Sequence, residues 1–422
     1  MTSSGNASPT LPTGTSPVGA TRTTTIGTAS PAGIAVLMAE SNGWQEMKLS
    51  AEDNQAEETH SDSGRIRKRL INHLLDVQLS EHLMVISGLG TSLCVVDDGG
   101  RRLAPTMGVL WAEVQKKAGD TFATVLSTVH HPATSQDIEA LLSRCHLSQH
   151  LLPDQKVQDF IKSAESTIRD LCEAITGGMR TLPHHDTFLR RLSSRPTRMP
   201  RFKIFTTNYD LCFERSASEV KAVVMDGFTH AAPQEFDGAC FSYDVVTRRD
   251  DHDGPDFIPN VFQLYKLHGS VDWAEKNGRI IKARGEQPVM IYPRDNKYQL
   301  SYSQPYLEMM ARFQQSLRTP NTGIIISGFG FNDEHLAQPI ISAVRSNSGI
   351  RLVVVDPSLK NLMSDRPGHK HIKFLEKLVL EGDKRIALMN CGFEQFASIM
   401  PEVSVVPEAE SHKQRLGRVD SQ

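Results

Sequence analysis

Six short runs of continuous apolar residues constrain this chain more than any other feature. They are LMVISG at 83–88, KIFTTN at 203–208, VFQLYKLHG at 261–269, GIIISGFG at 323–330, RLVVVDP at 351–357 and RIALMN at 385–390. Continuous rather than alternating hydrophobicity marks strands buried on both faces. Helical patterns between the runs then predict an α/β fold built on a doubly wound parallel sheet. In such sheets a ligand sits beyond the carboxyl ends of the strands, where the strand order reverses. The polar residues that follow each run are therefore the first candidates for function.

The flanks read differently. Residues 1 to about 35 are dominated by Thr, Ser, Gly, Pro and Ala, and a polar, acidic stretch follows them. Such sequence buries too little apolar surface to offset chain entropy, so residues 1–60 are expected to be a disordered, low-complexity segment. Leu70, Ile71, Leu74 and Leu75 then recur at helical spacing, and the folded domain is placed at 61–406. Residues 407–422 read as a flexible tail. Between about 104 and 200 the chain is helix-patterned without strand-like runs, which predicts a helical insertion packed over one edge of the site.

Charge and cysteine usage exclude several classes. Lysine and arginine total 46 against 49 acidic residues, a formal net charge of −3, so no global field draws the chain to nucleic acid or an anionic membrane. The six cysteines are scattered, with no C-x-x-C pair, which indicates neither a disulfide framework nor a cysteine zinc site and fits a reducing cytosol. No apolar stretch approaches the roughly 20 residues that span a bilayer, and no signal-peptide pattern opens the sequence. A cytoplasmic protein without membrane contact is expected.

Four strand ends carry the functional argument. SGLGTS places Gly88, Gly90, Thr91 and Ser92 after the first run, a pattern that fits a nucleotide loop or an ordinary tight turn. FTTNYD ends a strand on Asn208 and Asp210, where a turn and helix cap is the bland reading. KLHGSVDW contributes His268 beside Gly269, and a strand-end histidine is more often a satisfied surface residue than a catalyst. SGFGFNDEHL offers Gly328, Gly330, Asn332 and Asp333, able to bind sugar hydroxyls or simply to cap the next helix. Asp356 ends a fifth run, where a carboxylate commonly meets a ribose.

In this order along the chain, the glycine loop, T-x-N-x-D, H-G, G-x-G-F-N-D and strand-terminal Asp resemble the sirtuin family, specifically its bacterial branch of sirtuin-like NAD hydrolases in anti-phage defence. The resemblance runs over about residues 83–357, and TTNYD, KLHGS and GFGFNDEH are its specific motifs. It implies a Rossmann-like sheet with a helical insertion and an NAD glycohydrolase that releases nicotinamide and ADP-ribose, depleting NAD during infection. Carried over by motif, Asn208 and His268 would be catalytic, His268 as general base. Gly88, Gly90, Thr91 and Ser92 would cradle phosphates, Asp210 would help hold the ribose and water, and Gly328, Asn332 and Asp356 would contact the adenosine side. The resemblance also implies homo-oligomers of low basal activity and a separate partner, such as a DNA-translocating ATPase or another defence protein.

Two departures bear on the choice of activity. Sirtuin protein deacylases generally carry a four-cysteine zinc module and an acidic-Phe-Arg segment soon after the glycine loop, whereas this chain reads LCVVDDGGRRLAP there. No zinc is expected, and hydrolysis of NAD is favoured over an NAD-dependent protein deacylase or a non-catalytic NAD or ADP-ribose sensor. Leu89 also stands where alanine is usual between the loop glycines.

Weaker candidates remain. His146 and His150 lie four apart beside Cys145, a spacing open to a metal but more often a solvated helix face. Arg190, Arg191, Arg195, Arg198, Arg201 and Lys203 form a basic run that fits a solvated surface, with a partner or nucleic-acid contact as the other reading. Met309, Met310 and Phe313 read as core.

Overall fold

The computed structural model of the 422-residue chain describes residues 34–47, 62–132, 134–178, 180–248, 256–284, 288–290, 304–361, 363 and 368–403. Among them nine strands form one sheet. They are β1 (Ile34–Met38), β2 (Gln45–Met47), β3 (His82–Ser87), β4 (Lys203–Thr206), β5 (Val223–Met225), β6 (Val261–Lys266), β7 (Thr322–Ser327), β8 (Arg351–Val355) and β9 (Ile386–Asn390). Their spatial order is β2-β1-β9-β8-β7-β3-β4-β6-β5. The seven from β9 to β5 run parallel, and β1 and β2 close one edge antiparallel. This is the Rossmann-like α/β architecture that the apolar runs predict.

Alternate residues of each central strand enter opposite cores, which is why the runs are continuously apolar. Met84 and Ile86 of β3 face one cluster with Ile324, Ile326, Leu352 and Val354, while Leu83 and Val85 face the other with Ile325, Val353 and Val355. The first cluster is covered by α8 (Tyr306–Arg318), α9 (Glu334–Ser346) and α10 (His369–Leu380), with Met309 and Phe313 in its centre. The second is covered by α1 (Asp62–Gln78), α6 (Pro183–Ser193), α7 (Cys212–Glu219) and α11 (Phe393–Ile399).

A helical unit interrupts the sheet between β3 and β4. It comprises α2 (Met107–Ala118), α3 (Thr121–Thr128), α4 (Ile138–Leu151) and α5 (Gln155–Ile175), around a core of its own that includes Trp111, Phe122, Leu141 and Phe160. Two of its helices start on aspartates that accept first-turn N–H groups: Asp137 from Ala140 at 3.0 Å, and Asp154 from Lys156 at 2.7 Å.

Two boundaries differ from the sequence reading. The insertion expected over 104–200 stops at α5, because Phe188, Leu189 and Leu192 of α6 belong to the sheet's own core beside Phe213 and Phe393. Within the expected disordered segment 1–60, residues 34–38 and 45–47 are strands β1 and β2. All five residues of β1, IAVLM, are buried, so a short apolar run inside low-complexity surroundings is enough to join the sheet. Residues 1–33 and 48–60 and the tail from 407 lie outside the described residues.

The basic run is partly structural. Arg195 is buried and donates to the carbonyls of Gln78, Ser80 and Glu81, tying the end of α6 to the turn before β3. Arg201 pairs with Asp244 at 2.9 Å.

Candidate functional site

Register brings the strand ends to one line. Ser87 of β3 lies opposite Thr206 of β4 and Ser327 of β7, and Thr206 lies opposite Lys266 of β6. The residues that follow therefore emerge along a single edge. From β3 the chain passes to β4, β5 and β6 on one side, then returns to β7 on the other, so the strand order reverses between β3 and β7. A cavity of about 290 Å³ opens there, lined by residues from the ends of β3, β4, β6 and β7 and by the helical unit above them. It is the crevice in which doubly wound sheets hold ligands.

The floor at the switch point is backbone against backbone. Gly90 donates to the Gly328 carbonyl at 3.0 Å, and a Cβ on Gly328 would stand 2.5 Å from the Gly90 Cα. Gly328 also has φ +64°, in the left-handed region that favours glycine. These glycines let two strand-end loops touch.

Asn208 sits above that contact. Its side-chain amide nitrogen donates to the Gly88 carbonyl at 3.0 Å and to Ser92 Oγ at 2.9 Å, with Thr91 Oγ1 at 3.3 Å. Its backbone N–H donates to Thr206 Oγ1 at 3.1 Å. With the nitrogen turned toward the 88–92 turn, the amide oxygen is the group left to face a ligand. Asp210 supports the same turn: Oδ2 accepts from Ser92 Oγ at 2.7 Å and Oδ1 from the Cys212 N–H at 3.0 Å. Beneath it the buried Lys266 ammonium donates to the Asp210 carbonyl and lies 3.3 Å from Glu214 Oε1. Burial pushes the Glu214 carboxyl up to about 7 against the pull of that lysine.

His268 follows β6 and is 7 % exposed. Its Nε2 lies 3.1 Å from Asp333 Oδ2, while Asp333 Oδ1 accepts the His335 N–H at 2.9 Å and so caps α9. Burial acts to raise the Asp333 pKa, but hydrogen bonds from His268 and the His335 backbone outweigh it, and the net shift is downward. Gly269, at φ +87°, allows the chain to turn away immediately, since a Cβ there would meet the Val289 carbonyl at 2.2 Å.

Among the residues expected from sequence, Asn208, His268, Gly88, Asp210, Gly328 and Asn332 all line this cavity. Gly90, Thr91, Ser92 and Asp356 do not. Thr91 and Ser92 are buried beneath it, with N–H groups already given to the carbonyls of Gly88 and Leu89 and hydroxyls bonded to Gly88 and Asp210. In this arrangement they shape the turn that positions Asn208. Asp356 lies beyond β7, and its carboxylate accepts the Ser358 N–H and hydroxyl within its own turn.

Asp333, read from sequence as a sugar-binding residue or a helix cap, also lines the cavity and does cap α9. Glu139 was not singled out; it comes from the first turn of α4, and its carboxylate accepts the Tyr209 hydroxyl at 3.1 Å. Tyr209 and Leu211, flanking Asp210, pack into the helical unit's core, so the loop carrying Asn208 is anchored to the roof as well as the sheet. The cavity's acidic lining is Glu139, Asp210 and Asp333, and no lysine or arginine among the described residues lines it. Such a wall favours a cationic group.

No group of three or more His, Cys, Asp or Glu among the described residues is arranged to hold a metal ion. His146 instead pairs with Glu165 at 3.0 Å. No helix among them is long and apolar enough to cross a membrane.

Residues 203–376 match the family model described as SIR2-like domain, a stretch that begins with β4 and holds Asn208, His268 and the 328–333 loop. The match supports a sirtuin-like family, and SIR2-like domains use NAD. No curated protein matches the chain.

Proposed function

We propose, from a SIR2-like domain at residues 203–376, that this protein is an NAD glycohydrolase. One observation carries the reading: Asn208 and His268, from different strands, line the same cavity, whose other ionisable lining groups are mainly carboxylates. The bond between nicotinamide and ribose joins a pyridinium cation to a sugar carbon that gains oxocarbenium character as the bond breaks. Glu139, Asp210 and Asp333 stabilise positive charge in such a space. The Asn208 amide oxygen orients the ribose hydroxyl or the attacking water.

As the bond breaks, its electron pair returns to the nicotinamide nitrogen, which leaves neutral. Water oxygen bonds to the sugar carbon, and His268 accepts the proton released, the role of a general base. Products are nicotinamide, ADP-ribose and a proton later lost to solvent. Gly88, Leu89 and the lining residues of the 328–333 loop are the binding surface assigned to the rest of the dinucleotide.

The motif resemblance supports the wider context: anti-phage defence by NAD depletion, in the cytoplasm, by a homo-oligomer that a separate defence protein or DNA-translocating ATPase releases from restraint. An unrestrained hydrolase would harm its own cell.

Nicotinamide release from NAD tests the assignment, measured beside NAD binding and thermal melting. His268→Ala is expected to lose roughly 100- to 10,000-fold in turnover while retaining fold and binding. Asn208→Ala should likewise suppress turnover. If both folded variants match the parent, the chemistry lies elsewhere; release that requires an acyl-lysine peptide would make the protein a deacylase.

A further inference from the structure

We propose that Asp333 is a positioning residue of this site, holding the His268 imidazole in the tautomer that leaves Nδ1 bare toward the substrate. The inference rests on the hydrolase reading of the same cavity and adds the group that sets its base.

An ionised carboxylate can only accept hydrogen bonds, so the 3.1 Å contact between Asp333 Oδ2 and His268 Nε2 requires the proton on Nε2. In the neutral ring Nδ1 is then the acceptor. Among the described residues no hydrogen bond is made to Nδ1, and His268 lines the cavity. The carboxylate itself cannot swing, because Oδ1 is held by the His335 N–H at the start of α9. The positive end of that helix also favours the ionised form. On the other side, Gly269 and the Val289 carbonyl leave the chain after His268 little room to shift. The imidazole is therefore clamped between the end of β6 and the start of α9. When Nδ1 takes the proton, the carboxylate faces the new imidazolium and stabilises it. The other ionisable groups next to this carboxylate are His335 on α9 and Tyr306 at the start of α8.

The competing role for Asp333 is that of a helix cap alone, and Asp333→Asn separates the two. Asparagine caps helices about as well as aspartate. If its oxygen keeps the His335 N–H, its NH₂ group is turned toward His268 Nε2, which must then accept, and the ring proton moves to Nδ1. The variant should melt close to the parent yet hold His268 in the inverted tautomer. Full-length protein labelled with ¹⁵N-histidine reports this directly, through ring nitrogen shifts, which differ between the protonated and the bare nitrogen of a neutral ring and are followed over a pH series to their alkaline plateau. The His268→Ala variant assigns the signal.

Expected results are an Nε2–H tautomer in the parent, Nδ1–H in Asp333→Asn, and a fall in kcat of about 100- to 10,000-fold with KM within about threefold. An unchanged tautomer, or parental kcat in the folded variant, overturns the proposal. A tautomer that switches in a protein releasing no nicotinamide keeps the pairing and retires the hydrolase reading instead.

Discussion

His185 lies in the first turn of α6 between the rings of Phe213 and Phe393, 1 % exposed, with neither ring nitrogen hydrogen-bonded among the described residues. Burial lowers its pKa to about 4, against a smaller upward pull from Asp210. In the unfolded chain the same ring takes a proton near pH 6.5. Between those values the unfolded state binds more protons, so stability is complete above about pH 6.5 and falls as the pH drops toward 4. The loss across that window is on the order of 3 kcal/mol. His185→Leu removes the titrating group from an apolar slot; it should melt near or above the parent at pH 7.5 and lose less on acidification to pH 5. Parallel melting curves for the two proteins would assign the acid sensitivity to other groups.

Between elements, a demanding contact is the meeting of the β3 and β7 loops at Gly88, Gly90 and Gly328. Gly328→Ala adds a Cβ 2.5 Å from both the Gly90 Cα and the Thr91 nitrogen, at a φ of +64°. A loss of on the order of 3 kcal/mol is expected, read as a lower urea midpoint, together with weakened NAD binding as the turn under Asn208 shifts. Tyr209→Phe acts on the opposite wall. It deletes the hydroxyl that reaches Glu139 on α4 and should cost about 1–2 kcal/mol while leaving the fold intact. The six central strands were legible because burial on both faces leaves an unbroken apolar signature. The short β5 carried too few residues for one, and β1 was masked by the Ser, Thr and Gly that surround it. Within the site, Asn208 and His268 were legible from motif order. The bonds from Asn208 to Thr91 and Ser92 were not legible, because a turn built to hold an asparagine and a turn built to hold a phosphate use the same residue types. Glu139 could not be placed, since its approach depends on how α4 docks.

For the molecule as a whole, cysteine chemistry separates the candidate activities. The six cysteines are free thiols; five are buried and Cys94 is partly so. Burial pushes the thiols of Cys94, Cys145 and Cys172 up to about 12, far from the thiolate form that binds zinc. Elemental analysis of protein prepared without added metal should find much less than one zinc per chain, and EDTA should leave the melting temperature unchanged. Stoichiometric zinc would revive the deacylase. The sheet's outer edge has a different consequence, one of timing. β1 begins at residue 34, and its partner β9 ends at residue 390. A ribosome must therefore deliver almost the whole described chain before the first strand can find its place. Until then IAVLM has only the three-residue β2 beside it, and its other edge is open to pair with its counterpart on a neighbouring nascent chain. Fast completion protects against that encounter, and a product terminated before β9 would carry the sticky strand for its lifetime.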